Sequence, residues 1–301
     1  MSSSNGALSR RGALLVAGLG LVAVSHAAIF IRLADAPALT IAFARVALAS
    51  LVFLPFGLAA ARPAGGRGLG TAVAAGAVAG LCLAAHFFGW VAALGRVSIA
   101  EATVLVSLSP VWIALFDAAT GRGLPDGRLL GAIALCLAGS AVLGLDGLAR
   151  ADGDPLGLAL AGLGGVAMAG YLVAGRTARA RLPTPAYVAL AYTTASVALL
   201  VAALATGAAL SGFDTRTWAA LAALGIVAQV IGHSAYNWTL STLPPMLVGL
   251  CLIGAPVLGA LLGLLYLGEA IPPGALGGGA LILAGVVLAI VAEARRAAPP
   301  R

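Results

Sequence analysis

The sequence predicts an all-α integral membrane protein whose ten transmembrane helices form two inverted five-helix repeats. Three observations carry that prediction: an apolar composition, apolar runs of bilayer-spanning length, and a proline and glycine spacing that recurs once along the chain. With 61% hydrophobic and only 9% charged residues, the chain lacks the polar side chains that a water-facing surface needs. Backbone in hydrocarbon must be hydrogen-bonded within its own segment or in a closed barrel. The apolar runs are about 20 residues long, the length with which a helix crosses roughly 30 Å, and they show no period-two alternation. Helices follow.

The polar start, 1–11, precedes an apolar run from Gly12 to Ile31. That run has the flanking charge of a signal sequence, but it is too long and shows no small-residue cleavage site, so it reads as a retained first helix. The later spans read as 39–59, 70–92, 99–119, 128–145, 156–175, 186–207, 217–239, 245–267 and 273–293. A first repeat at 12–145 and a second at 156–293 are joined by the linker Asp146–Pro155. Adding 146 carries Pro110 to Pro256, Gly131 to Gly277 and Gly139 to Gly285. More weakly, Ala17-Gly18-Leu19-Gly20 returns 144 residues later as Ala161-Gly162-Leu163-Gly164. An odd number of helices per repeat turns the second upside down relative to the first, an architecture of secondary transporters with substrate near the midplane.

The formal charge of +7 does not imply a nucleic-acid partner, because the arginines sit at span ends rather than on one basic surface. With a cytoplasmic N-terminus, twelve arginines fall on the cytoplasmic side and four, Arg32, Arg96, Arg150 and Arg216, on the other. The positive-inside rule then places both termini in the cytoplasm, in a multi-pass protein assigned to the inner (plasma) membrane. Asp35, Glu101, Asp146, Asp152, Asp154, Asp214 and Glu269 fall on the outer side. The three cysteines lie in different apolar runs and read as small hydrophobes, so no disulfide, metal site or cofactor is expected. Gly76 with Gly80, and Gly259 with Gly263, put two glycines one turn apart. Such pairs let another backbone approach and permit a homodimer without requiring one.

These features resemble the EamA-type members of the drug/metabolite transporter superfamily. The residues that carry the resemblance are Ser25-His26-Ala27, Pro37 followed by Arg45, Leu108-Ser109-Pro110, Gly254-Ala255-Pro256, Leu267-Gly268-Glu269 and the run from Gly277 to Gly285. It covers nearly the whole chain through apolar, degenerate motifs. It therefore implies a fold strongly and a substrate hardly at all, and export as the direction comes from it alone. Gly123 stands where the second repeat has Glu269, and the fourth span opens with Glu101 where a small or polar residue is more usual.

Polar groups within hydrocarbon are costly and are the first candidates for function. Arg45 lies about six residues into the second span, roughly 9 Å below its outer end. Two accounts stand: a cation facing the cavity to meet a substrate carboxylate or phosphate, or an ion pair with an outer-side acid such as Glu101. His26, His86 and His233 all lie within spans, where a histidine serves either as a proton relay or as a helix–helix hydrogen bond. Trp90 follows His86 by one turn, and Asn237 and Trp238 follow His233. These side chains either wall a cavity or belong to the interfacial aromatic belt. Gln229, Tyr236 and Asn237 make the eighth span the most polar of its half. Pro110 and Pro256 each remove a backbone donor in mid-span, as kinks in helices that rearrange or as static curvature.

No nucleophile elbow, zinc-protease motif or phosphate-binding glycine loop occurs in the sequence, so an enzyme is not expected. The expectation is a secondary transporter in the lipid bilayer, exporting small polar or amphipathic, amino-acid-like metabolites by alternating access. Its substrate would meet Arg45, His86, Trp90, Gln229, His233, Asn237 and Trp238, with Glu101, Pro110 and Pro256 in gating. A carrier of lipid-linked or nucleotide-linked sugars is the alternative within transport, and a non-transporting scaffold or sensor is the alternative outside it.

Overall fold

The computed structural model describes residues 10–60, 68–121, 126–149, 154–239 and 245–296. Arg62, Arg67, Arg122, Arg150, Asp152 and Arg301 lie outside the described residues, as do the side chains of Pro110, Asn237 and Trp238. Helices account for the described elements, and no strand occurs among them. They are α1 (Arg10–Ser25), α2 (Ala27–Leu33), α3 (Ala38–Ala60), α4 (Leu69–Leu94), α5 (Ile99–Val106), α6 (Ser109–Ala119) and α7 (Gly127–Ala149). There follow α8 (Pro155–Arg179), α9 (Thr184–Ala205), α10 (Thr215–Ala223), a π-helical stretch over Leu224–His233, α11 (Ser234–Thr239), α12 (Pro245–Leu267) and α13 (Pro273–Arg296).

Seven helical runs among the described residues are long and apolar enough to cross a bilayer: Gly12–Leu33, Ala38–Ala60, Leu69–Leu94, Ile99–Ala119, Pro155–Arg179, Thr184–Ala205 and Thr215–Tyr236. Gly127–Val142, Gly254–Leu267 and Pro273–Leu288 are shorter apolar helices. The exterior is built from large apolar side chains, Leu15 being 70% exposed and Leu265 75%. Water would penalise a surface of this extent, whereas lipid tails solvate it as well as another leucine would.

Local chemistry sets the helix ends. Asp154 caps α8 by accepting from the Gly157 amide at 3.1 Å, with Pro155 at the first helical position, where a missing N–H has no cost. Asp214 caps α10 through the Thr217 amide at 2.8 Å. Ser98 and Glu101 form a reciprocal capping box at the start of α5. Gly121, Gly207 and Gly268 adopt positive φ just past α6, α9 and α12, the left-handed turn that ends many helices.

Three spans predicted as single rods are interrupted. The first breaks at His26, whose ring Nδ1 donates to the Val22 carbonyl at 2.7 Å. The fourth breaks at Ser107 and Leu108, so that Pro110 sits in the first turn of α6, where its lack of an N–H is harmless. The eighth widens into the π-helical stretch, ten residues long. Pro256, by contrast, lies inside the unbroken α12.

The repeats interleave. α4 packs on α8 and α9, α3 on α9 and the π stretch, α1 on the π stretch and α12, and α7 on α13. Glycines set the closest crossings. A Cβ at Gly20 would lie 2.8 Å from the Ala235 Cβ and 3.3 Å from the Gly232 carbonyl; one at Gly89 would lie 2.9 Å from the Leu160 carbonyl and 3.4 Å from the Gly164 amide. Gly20 and Gly164 are the last residues of the two echoing tetrads, so the echo marks two equivalent crossings, α1 on the π stretch and α8 on α4. Of the expected glycine pairs, a Cβ added at Gly76 or Gly80 would lie 2.6–2.7 Å from Leu190, Thr194 and Ala191 of α9, whereas one at Gly259 would meet Ile99 at an ordinary 3.7 Å and one at Gly263 the end of the same side chain at 3.0 Å.

Candidate functional site

Four helices bring their polar residues to one buried point. Arg45 on α3 is inaccessible to solvent, as is Gln229 on the π stretch, and the Arg45 Nε donates to Gln229 Oε1 at 2.6 Å. From α4, the Phe87 ring lies 4.0 Å beneath the guanidinium carbon and the Trp90 ring 5.5 Å from it. From α9, Tyr192 lies beside both Arg45 and Gln229. His233 stands edge-on to Phe87, with ring centroids 6.0 Å apart. His86 adjoins Phe87, and its Nδ1 is 2.9 Å from the Gly164 carbonyl.

A guanidinium keeps its charge in a protein and carries five donors, and burying such a charge is expensive unless it is paired. Here the described residues supply one hydrogen bond and two aromatic faces, and no carboxylate. Arg45 Nη1, Gln229 Nε2 and Trp90 Nε1 are each buried without a hydrogen-bond partner among the described residues. All three are donors. The Gly164 carbonyl can only accept, so His86 Nδ1 carries the proton and a neutral ring presents Nε2 as an acceptor. The unpartnered donors are chemically complementary to an anion, and an imidazole Nε2 without a proton to a single donor.

Of the residues singled out from sequence, Arg45, His86, Trp90, Gln229 and His233 converge here, and Trp90 is buried against the cation rather than standing in an interfacial belt. The side chains of Asn237 and Trp238 lie outside the described residues. His26 is elsewhere, at the α1–α2 break, near Phe30 and Tyr266. Arg45 does not pair with Glu101 in this conformation. Glu101 instead accepts from the Ser98 amide at 2.9 Å and the Ser98 hydroxyl at 2.7 Å. Phe87 and Tyr192 escaped the sequence reading. Phe87 stands three residues before Trp90, on the same face of α4, which was a usable signal; nothing in the run around Tyr192 distinguishes it.

Charged groups gather at the ends of the helices. Arg32 Nη2 pairs with Glu269 Oε2 at 3.2 Å, Arg96 with Asp154 at 2.7 Å, and Arg176 with Asp117 at 3.2 Å. The hydrogen bond from Arg96 and that from the Gly157 amide hold the Asp154 carboxyl below the usual carboxylate range. Its bonds with Thr217 do the same for Asp214.

Comparison with known proteins adds three findings. The family described as "EamA-like transporter family" matches residues 10–145 and again 155–291. No curated protein matches the chain. Among solved structures, one titled only "Crystal structure of protein" aligns with a TM-score of 0.62 and 23% identity, over 96% of this chain and 100% of that one. At that identity the likeness speaks for the fold alone.

Proposed function

Since the chain belongs to the EamA-like transporter family, we propose that it is a secondary transporter that exports small polar or amphipathic, amino-acid-like metabolites by alternating access. Ten spans, in units 12–145 and 156–293, would insert in opposite senses with both termini in the cytoplasm of a cell whose inner membrane holds the protein. The single observation that supports a solute site is the buried guanidinium of Arg45, which has one hydrogen bond to protein and an unfilled donor beside two more, on Gln229 and Trp90. A carboxylate fits these donors. The aromatic faces of Phe87 and Trp90 would hold the solute's apolar part, and the unprotonated His86 Nε2 an amine hydrogen. A phosphate fits the same donors, which keeps lipid-linked or nucleotide-linked sugars as the second reading.

The test is the melting temperature of the detergent-solubilised protein against a metabolite panel, for wild type and Arg45→Ala in parallel. A solute that binds only the folded state raises stability by about 2.7 kcal/mol at a hundredfold excess over its Kd. Carboxylate metabolites should raise the wild-type melting temperature and leave the variant unmoved. A shift of equal size in Arg45→Ala would remove the guanidinium from the site. A response confined to phosphate-bearing ligands would favour the second reading.

A further inference from the structure

A site shut away from solvent at both ends needs a way to open at one end at a time. Two of the ion pairs are placed for that. Arg32, at the end of α2, donates to Glu269 and, at 2.9 Å, to the Val97 carbonyl. Glu269, just past α12, also accepts from the Ile99 amide, one of the orphan donors at the start of α5. One carboxylate thus ties together the end of the first span, the start of the fourth and the exit of α12. Arg176, in the last turn of α8, offers both Nη atoms to Asp117 near the end of α6, each 3.2 Å from Oδ2.

The two pairs are related by the repeat. Arg32 and Arg176 stand 144 residues apart, the spacing of the echoing glycine tetrads. Each arginine closes the first helix of its own repeat, and each finds an acid on or just beyond the fourth helix of the other. They also lie at opposite ends of the fourth span, since Glu269 meets Ile99 at the start of α5 and Asp117 stands near the end of α6, eighteen residues on. Exposed ion pairs contribute little stability on their own, which suits contacts that must break in every cycle.

We propose that Arg32–Glu269 and Arg176–Asp117 are the two gates of the solute path, one at each membrane face, and that opening to one side breaks one pair while the other stays closed. This rests on the transporter reading. At the Arg32 end the Ile99 amide and the Val97 carbonyl join the pair, and at the other end both Nη atoms of an Arg176 side chain that is 51% exposed reach Asp117.

The experiment reads access directly and uses no solute, so it is independent of whether a solute has been found. In a background of Cys82→Ser, Cys136→Ser and Cys251→Ser, a reporter thiol is placed at the site as Phe87→Cys or, in a second series, His233→Cys. Labelling by a membrane-impermeant maleimide is followed in right-side-out and inside-out vesicles, for preparations that remain monodisperse on size exclusion. Glu269→Gln should raise the labelling rate several-fold from one face only, and Asp117→Asn should raise it several-fold from the opposite face only. Arg32→Gln should copy Glu269→Gln, and the exchange Arg32→Glu with Glu269→Arg should return labelling towards the starting rate. Increases from the same face for both pairs, or no increase for either, would overturn the proposal. Loss of solute response with the labelling pattern intact would instead count against the solute site alone.

Discussion

The third helix of each repeat contributes to the buried cluster, yet the two are built differently. α4 is a regular helix over 26 residues and contributes His86, Phe87 and Trp90. Its counterpart contributes Gln229 and His233 from a π-helical stretch flanked by α10 and α11. Turns with i→i+5 hydrogen bonds are rare, and inside α-helices they occur mostly as single-turn bulges. Here Gly225 lies against Leu48 of α3 and Gly232 against Val24 of α1, so close that added Cβ atoms would meet those side chains at 2.5 and 2.6 Å. Gln229 lies between these contacts and is tied to Arg45. An inverted pair of helices therefore need not carry a symmetric chemistry: one side supplies aromatic faces and an acceptor, the other an amide that holds a cation.

The sharpest way to break the comparison is at Arg45, where the two sides meet. Truncating one partner of a desolvated charged contact costs about 2–5 kcal/mol, so Arg45→Ala should lower flux by roughly thirtyfold or more while the protein stays monodisperse. Arg45→Lys keeps the charge but loses the planar fork; transport retained by that variant would reduce the role to a point charge.

Gln229→Glu comes next. It supplies the missing carboxylate next to the cation, so thermal stability should hold or rise while the response to anionic solutes disappears. Loss of the Gln229 hydrogen bond in Gln229→Leu should cost about 1.5–3 kcal/mol, as for a bond to a charged group. A full anionic response in Gln229→Glu would show that the open side of the guanidinium is not where the solute binds.

The glycine crossings sharpen the equivalence of the repeats. Gly232→Ala and Gly89→Ala should each destabilise by about 1–3 kcal/mol, as overpacked cores do, because each new methyl meets backbone at 3.0 and 2.9 Å respectively. Gly18 and Gly162 have nothing within 4 Å of an added Cβ, and alanine there should stabilise by about 0.5–1 kcal/mol through helix propensity. Thermal melts of the four variants test both signs.

The smallest effect is at the α8 cap. The Asp154 carboxyl is held low by Arg96, so its contribution is complete above the ordinary carboxylate range and is lost as pH falls through its depressed value. Asp154→Asn should therefore melt slightly below wild type at neutral pH, and the difference should shrink in acid. A gap that stayed constant with pH would mean that the ion pair is not its source.

Much of the fold was legible because hydrocarbon is a strict solvent. Apolar runs of bilayer length must be helical, and the recurrence of Pro110 at Pro256 and of Gly20 at Gly164 exposed two repeats. Arg45, His86 and Gln229 stood out for the same reason, since polar groups in such runs are too costly to be incidental. Tertiary structure alone decided which of them meet. A sequence records depth along a helix but not the rotation of one helix against its neighbour, and that rotation depends on glycine crossings many residues apart. So His26, as conspicuous as His86, bonds its own helix at Val22, while Phe87 and Tyr192 border the cation. Glu101 caps its own helix through Ser98, and Glu269 reaches across the repeats to Arg32 and Ile99. Even the π stretch is a tertiary outcome, because local propensity favours the α turn and packing against neighbours such as α1 and α3 offsets the difference.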